Sequence, residues 1–225
     1  MRLPERILFV GAHCDDVELL AGGLLARACR DGATVGVLVF SDHRGVLDDA
    51  GATQAREELR GNLGWLREQG AQLTDHTDHA DLLPACQGAF EARRGDLYAA
   101  LEALRGRYDL VVTHPERDTN QDHRQVSLEA TRVFKAHATV LYGEFPNNDL
   151  GDGRLSVWVP LEERDLEAKV RMVGAYASQR IGGRPYLDAD VIRALARLRG
   201  SQIRARAAEA FGVGARLIVG GTPRG

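Results

Sequence analysis

The sequence predicts an α/β fold: a Rossmann-like, doubly wound and mostly parallel sheet with helices on both faces, closed by a C-terminal strand and helix cap. Two observations carry that expectation. Between residues 6 and 145, short β-branched or apolar runs alternate with longer segments of helical period, the pattern of successive βαβ units. Histidines and acids gather just past the first and fourth of those runs, the edge where open α/β sheets bind their ligands.

The elements follow in order. RILFVGA at 6–12 reads as a strand buried on both faces, with a helix over 17–31. TVGVLVFS at 34–41 is the second strand, followed by a helix over 52–69. A weak third strand near 71–75 precedes a helix over 88–106. DLVVTHP at 109–115 is the fourth strand, with a helix over 121–137, and TVLYGEF at 139–145 is the fifth. Past residue 150 the pattern changes: GDGRLSVWVPL reads as a turn and a more exposed strand, and charged helical segments are expected at 161–177 and 188–211. NNDLGDG (147–153) and SQRIGGRPYLD (178–188) read as loops, and the final GGTPRG as a frayed end. One domain over 1–225 is expected, its core at about 1–150 and its cap at about 151–215.

Composition narrows the partners. With 29 basic against 32 acidic residues, the formal charge of −3 gives no footprint for nucleic acid or an anionic membrane. No apolar run reaches the roughly 18–20 residues of a membrane span, and the N-terminus does not read as a secretory signal. Three cysteines, Cys14, Cys29 and Cys86, form no Cys-x-x-Cys pair and leave one over, which speaks against a disulfide framework or thiolate zinc site. The expectation is a cytoplasmic protein with a small-molecule partner; assembly into a homo-oligomer stays open.

The first cluster offers His13, Asp15, Asp16 and Glu18; the second, HPERDTNQDHRQ at 114–125, offers His114, Glu116, Asp118, Asp122 and His123. Together they could close a zinc site, since catalytic zinc takes three ligands from His and Asp or Glu and leaves one position open. A neighbouring carboxylate that is not a ligand can then carry the proton. Adjacent aspartates suit that division, because neighbouring side chains in extended backbone point in opposite directions. The plainer alternative is that Asp15 or Asp16 only caps the next helix. A nucleotide-binding turn is disfavoured, because glycines at 11, 22 and 23 lack the Gly-x-Gly-x-x-Gly spacing.

GAHCDDVELLAGG resembles the Ala-His-Pro-Asp-Asp-x-Glu signature of the LmbE-like, or PIG-L, family of zinc-dependent N-acetylglucosamine deacetylases, and DTNQDHR is similar to that family's second motif, ending in Asp-His. The lysine and Ser-Gln of EAKVRMVGAYASQ (167–179) and the Arg-Gly and Glu-Ala-Phe of RGSQIRARAAEAF (199–211), the latter resembling the family's closing helix, extend the likeness over nearly the whole chain.

The resemblance implies His13, Asp16 and His123 as Zn²⁺ ligands, with another divalent metal as an alternative, and Asp15 as the general base that later protonates the leaving amine. Asp122 is implied as a carboxylate orienting a nearby imidazole, and Glu18 as a support for the loop. Cys14 stands where the family has proline; its thiol is expected to point away from the metal. Asn120 stands where many members carry a histidine that stabilises the oxyanion, so Asn120 does this without charge or His114, Arg117 or Arg124 supplies a cation. Substrate contacts are expected from Arg44, with His43 as the alternative in SDHRG, from Asp118 and from Glu144; Asn147, Asp78 and His79 are weaker candidates. The implied reaction is zinc-dependent hydrolysis of the N-acetyl amide of an amino sugar or its conjugate, giving acetate and a free amine. A related hydrolase of another N-acyl or ester compound, and a non-catalytic Rossmann-like binding domain, are the alternatives.

Overall fold

The computed structural model describes residues 3–77, 83–85, 88–148, 154–180 and 183–214. Strand β1 (Arg6–His13) alternates its side chains between two apolar layers: Ile7 and Phe9 join one buried cluster, Leu8 and Val10 the other. It pairs in parallel with β2 (Thr34–Ser41), and β2 pairs with β3 (Gln72–Asp75). On its other side β1 pairs in parallel with β4 (Leu110–Thr113), which pairs with β5 (Thr139–Gly143). Two further strands, β6 (Val157–Leu161) and β7 (Ala207–Val213), complete a seven-stranded sheet of order β3-β2-β1-β4-β5-β7-β6. The strand order reverses between β1 and β4, so the crevice for a ligand opens past their carboxyl ends.

The helices run in chain order α1 (Asp16–Arg30), α2 (Asp49–Glu68), α3 (Ala89–Ala92), α4 (Arg94–Glu102), α5 (Gln121–Phe134), α6 (Glu163–Gly174) and α7 (Ala189–Ser201). One apolar layer packs α1, α2, α6 and α7 on the sheet, the other α3, α4 and α5. This is the expected doubly wound arrangement, with β1 to β5 parallel. Pro160 sits on β6 at the sheet's edge, where its missing N–H costs no ladder bond.

Two expectations are corrected. The helix predicted over 88–106 is broken at Arg93 (φ −104°, ψ 20°) into α3 and α4. The C-terminal helix predicted over 188–211 stops at Ser201, and residues 207–213 form β7, antiparallel to both β5 and β6. AAEAF has helix-forming composition and no alternation, yet a position between two strands overrides propensity. The turn back is tight: a Cβ on Gly200 would fall 2.7 Å from the backbone of Ala207, and Arg204 adopts φ 59°. Residues 149–153 and 181–182 of the expected loops, and the GGTPRG end, lie outside the described residues, as do Asp78, His79 and Cys86. No described helix is long and apolar enough to cross a membrane.

Candidate metal centre and active site

His13 is the last residue of β1, and Asp15 and Asp16 form the turn into α1; His123 lies in the first turn of α5, after the loop that leaves β4. All four are buried. His13 Nδ1 lies 3.2 Å from His123 Nε2 and 3.3 Å from Asp16 Oδ2, and His123 Nε2 lies 3.4 Å from Asp16 Oδ1. Ligand bonds of roughly 2.0–2.2 Å in a tetrahedron put donor atoms roughly 3.3–3.6 Å apart. The three side chains therefore stand at about the separations of atoms around one cation, His13 nearer one Asp16 oxygen and His123 nearer the other, and they form one of two groups among the described residues able to hold a metal ion.

The far side of each imidazole is held by its own carboxylate. His13 Nε2 lies 3.1 Å from Asp122 Oδ2, and His123 Nδ1 lies 2.8 Å from Asp118 Oδ2. With those nitrogens donating, the lone pairs of His13 Nδ1 and His123 Nε2 face each other and Asp16, the tautomers a cation requires. Asp16 is aimed by the His13 backbone N–H, 2.6 Å from its Oδ2. The second group, His114, Asp118 and His123, shares His123, and the Asp118 contact reads more simply as the support of that ring.

The same contacts set the charges. Burial works against protonating His13, but Asp16 and Asp122 overcome it and lift its pKa to about 10. Burial likewise opposes a charged His123, and Asp16 and Asp118 lift it to about 9. Burial alone would raise Asp16; His123, His114 and His13 hold it well below the usual carboxylate range. Burial, then the field of His123, pulls His114 down to about 4, so it is neutral and supplies no cation. Its Nε2 accepts the Ala12 N–H at 3.0 Å and stands 3.1 Å from Asp16 Oδ2. Arg124 is turned onto the carbonyls of Asp118 and Thr119, and Arg117 is exposed. His114 and Arg124 thus put no charge into the cluster in their described contacts.

Asp15 occupies the N-cap position of α1 but its side chain makes no capping bond; its Oδ1 lies 3.0 Å from His43 Nε2. Asn120 does cap, its Oδ1 accepting from the N–H groups of Asp122 and His123, which leaves Nδ2 as the donor it can offer. Of the SDHRG loop, His43 rather than Arg44 reaches the cluster. The Arg44 side chain is 55% exposed and pairs with Asp42. Glu144 pairs with Arg199 of α7, and Asn147 is exposed beside Asn148. Cys14 turns its Sγ to the Ser41 carbonyl, and burial keeps its pKa well above the usual thiol range. Glu18 is fully buried against Asn62 and Tyr176, and burial pushes its pKa up to about 8.

A support that sequence reading did not assign lies beneath this turn. Helix α1 is broken at Ala21 (φ −153°, ψ 30°), freeing backbone groups on both sides. Glu209 of β7 accepts the N–H groups of Gly23 and Leu24 at 3.0 and 2.7 Å, and Lys169 of α6 donates to the Leu19 carbonyl at 2.8 Å and to Glu209 at 2.7 Å. Gly22 and Gly23 admit these partners: a Cβ on Gly22 would press on Lys169, and one on Gly23 would overlap Leu161 and crowd Glu209. Lys169 and the Glu of Glu-Ala-Phe both belong to the segments that carry the C-terminal resemblance, and that was the available signal.

Buried imidazoles and carboxylates hung from the ends of two neighbouring parallel strands define the class, an α/β enzyme reacting at its topological switch point. The chain belongs to the PIG-L family (GlcNAc-PI de-N-acetylase), which matches residues 8–134, and so to a family of hydrolytic N-deacetylases. That span holds His13, Asp15, Asp16, Asn120, Asp122 and His123. The conserved protein TT1542 from Thermus thermophilus is similar with a TM-score of 0.69 and 24% identity, over 99% of this chain and 100% of its own. The N,N'-diacetylchitobiose deacetylase of Pyrococcus horikoshii gives 0.70 at 16% identity, over 94% and 84%. GalB, the 4-carboxy-2-hydroxymuconate hydratase of Pseudomonas putida, gives 0.70 at 18% identity, over 96% and 99%. These likenesses establish the fold, and one of them belongs to a hydratase. No curated protein sequence matches the chain.

Proposed function

We propose that the protein is a zinc-dependent N-deacetylase acting on a small N-acetylated amino sugar or amino-sugar conjugate, with His13, Asp16 and His123 as metal ligands and Asp15 as the proton carrier. The observation that carries this reading is the spacing of two ring nitrogens and a carboxylate at 3.2, 3.3 and 3.4 Å beside an aspartate that declines its helix cap. A divalent ion held there supplies Lewis acidity, polarising the acyl oxygen and acidifying water.

The chain's own groups do the rest. Asp15 takes a proton from the attacking water as its oxygen bonds to the acyl carbon, and returns it to the amide nitrogen as the C–N bond breaks, giving acetate and an amine. Asp122 and Asp118 keep the two imidazoles in the ligating tautomers, and Asn120 Nδ2 offers an uncharged hydrogen bond to the developing oxyanion. Membership of a de-N-acetylase family and a fold shared with a diacetylchitobiose deacetylase support the substrate class. The free, buried thiols of Cys14 and Cys29 suit a reducing compartment, and the cytoplasm is the proposed location.

A panel of N-acyl sugars, peptides and esters, assayed with metal-stripped and zinc-loaded protein, tests the reading. Turnover is expected on an N-acetyl sugar only after metal is restored. Asp15→Asn should keep its metal and lose activity by roughly 10²–10⁴. Undiminished turnover by stripped protein overturns the proposal.

A further inference from the structure

His43 stands out from its loop. It is one of two non-glycine residues with positive φ among the described residues, at φ 65°, and only 7% of it is exposed. An L-residue in the left-handed region carries a steric cost that glycine escapes, although histidine is among the side chains found there more often. The loop enforces it: the His43 N–H donates to Ser41 Oγ at 3.1 Å, and its carbonyl accepts from Val46 and Leu47 at 3.0 and 2.9 Å. Gly45, two residues on, already takes φ 96°. A strained, buried, polar side chain where a glycine would rest easily calls for a function of that side chain.

Its geometry supplies one. The ring stacks on His13 with centroids 4.9 Å apart and planes 18° apart, which directs Nε2 to within 3.0 Å of Asp15 Oδ1. Asp15 sits at the α1 N-terminus, where free N–H groups would otherwise draw its carboxylate into a cap. Holding Oδ1 from His43 competes with that alternative and leaves Oδ2 outside this contact.

We propose that His43 is a positioning residue: it donates Nε2–H to Asp15, holds the carboxylate off the helix terminus and presents a single oxygen to the reacting water. The inference rests on Asp15 as the proton carrier.

The test sets His43→Gly against the parent and His43→Gln, all metal-loaded. Glycine relieves φ while removing the donor, which offsets part of the lost packing, so His43→Gly should stay folded and bind the same amount of metal. Its kcat should fall roughly tenfold to a hundredfold with KM shifted less than about twofold. His43→Gln, whose amide can reach Asp15, should recover part of kcat, and His43→Gly should cost nothing further in an Asp15→Asn background. Lost metal or an unchanged kcat in His43→Gly overturns the proposal. A second readout is independent of substrate: long-range ¹H–¹⁵N spectra of the histidine rings should show a protected Nε2–H at His43 that Asp15→Ala removes. Were no N-acyl sugar turned over while that signal behaved as stated, the deacetylase reading would fail and the His43–Asp15 contact would stand; a signal indifferent to Asp15→Ala removes the contact itself.

Discussion

Lys169→Met probes the patch across the break in α1. The substitution keeps the aliphatic stem but strips the ammonium from Glu209, whose side chain is 5% exposed, and from the Leu19 carbonyl. Removing one partner of a buried ion pair costs about 3–5 kcal/mol, because the other charge is left uncompensated. Glu209 still accepts the Gly23 and Leu24 N–H groups, which puts the expected loss at the lower end, about 3 kcal/mol. In a chain of 225 residues each kcal/mol moves Tm by about 2–4 °C, so melting should fall by about 6–12 °C. Urea unfolding of metal-free protein measures it, with an unchanged m-value confirming that the loss is one of stability. The double variant Lys169→Met/Glu209→Gln removes the stranded charge and should recover part of the loss. A Lys169→Met loss below about 1 kcal/mol would refute the view that this pair holds the break closed.

Two more expectations follow from the site. In the metal-free pocket His13 and His123 hold protons up to about pH 10 and about pH 9, so a cation entering near neutrality displaces both. Affinity should climb by up to about two log units per pH unit below pH 9, and titration calorimetry in buffers of different ionisation enthalpy should count about two protons released; none released would contradict the ligand assignment. Asn120→His places a charge-capable donor at the position proposed to face the oxyanion and removes a helix cap. A roughly tenfold or greater rise in kcat and a stability loss of about 1 kcal/mol are expected together, and an unchanged kcat would show that position 120 does not face the oxyanion.

The parallel core was legible because each of its strands but the weak β3 is a dense apolar run, and the ends of the first and fourth runs marked the edge near which His13 and His123 lie. Strand β7 was not, since Ala207, Ala208, Glu209 and Ala210 carry neither bulk nor alternation, and their conformation is decided by β5 and β6 on either side. The cluster at the sheet edge was readable, but the use of each acid was not. Asp15 and Asn120 occupy equivalent positions at the starts of α1 and α5, and only three-dimensional neighbours decide that Asn120 caps its helix while Asp15 is drawn off by His43. Arg44 was the more conspicuous residue of its loop, yet a positive φ one position earlier sends the histidine inward.

The bond between Glu209 and the amides of Gly23 and Leu24 spans 186 and 185 residues. Synthesis delivers the Asp15–Asp16 turn well before the carboxylate that secures its helix. A nascent chain that has reached the end of α5 already owns every proposed ligand, but the helix behind Asp15 and Asp16 still has bare amides at its break. Contacts of such separation form late, because the loop must close before they are rewarded. The turn proposed to react is thus braced by a strand made after every proposed ligand, and a fragment ending before β7 would carry both proposed ligand motifs without the lock behind them.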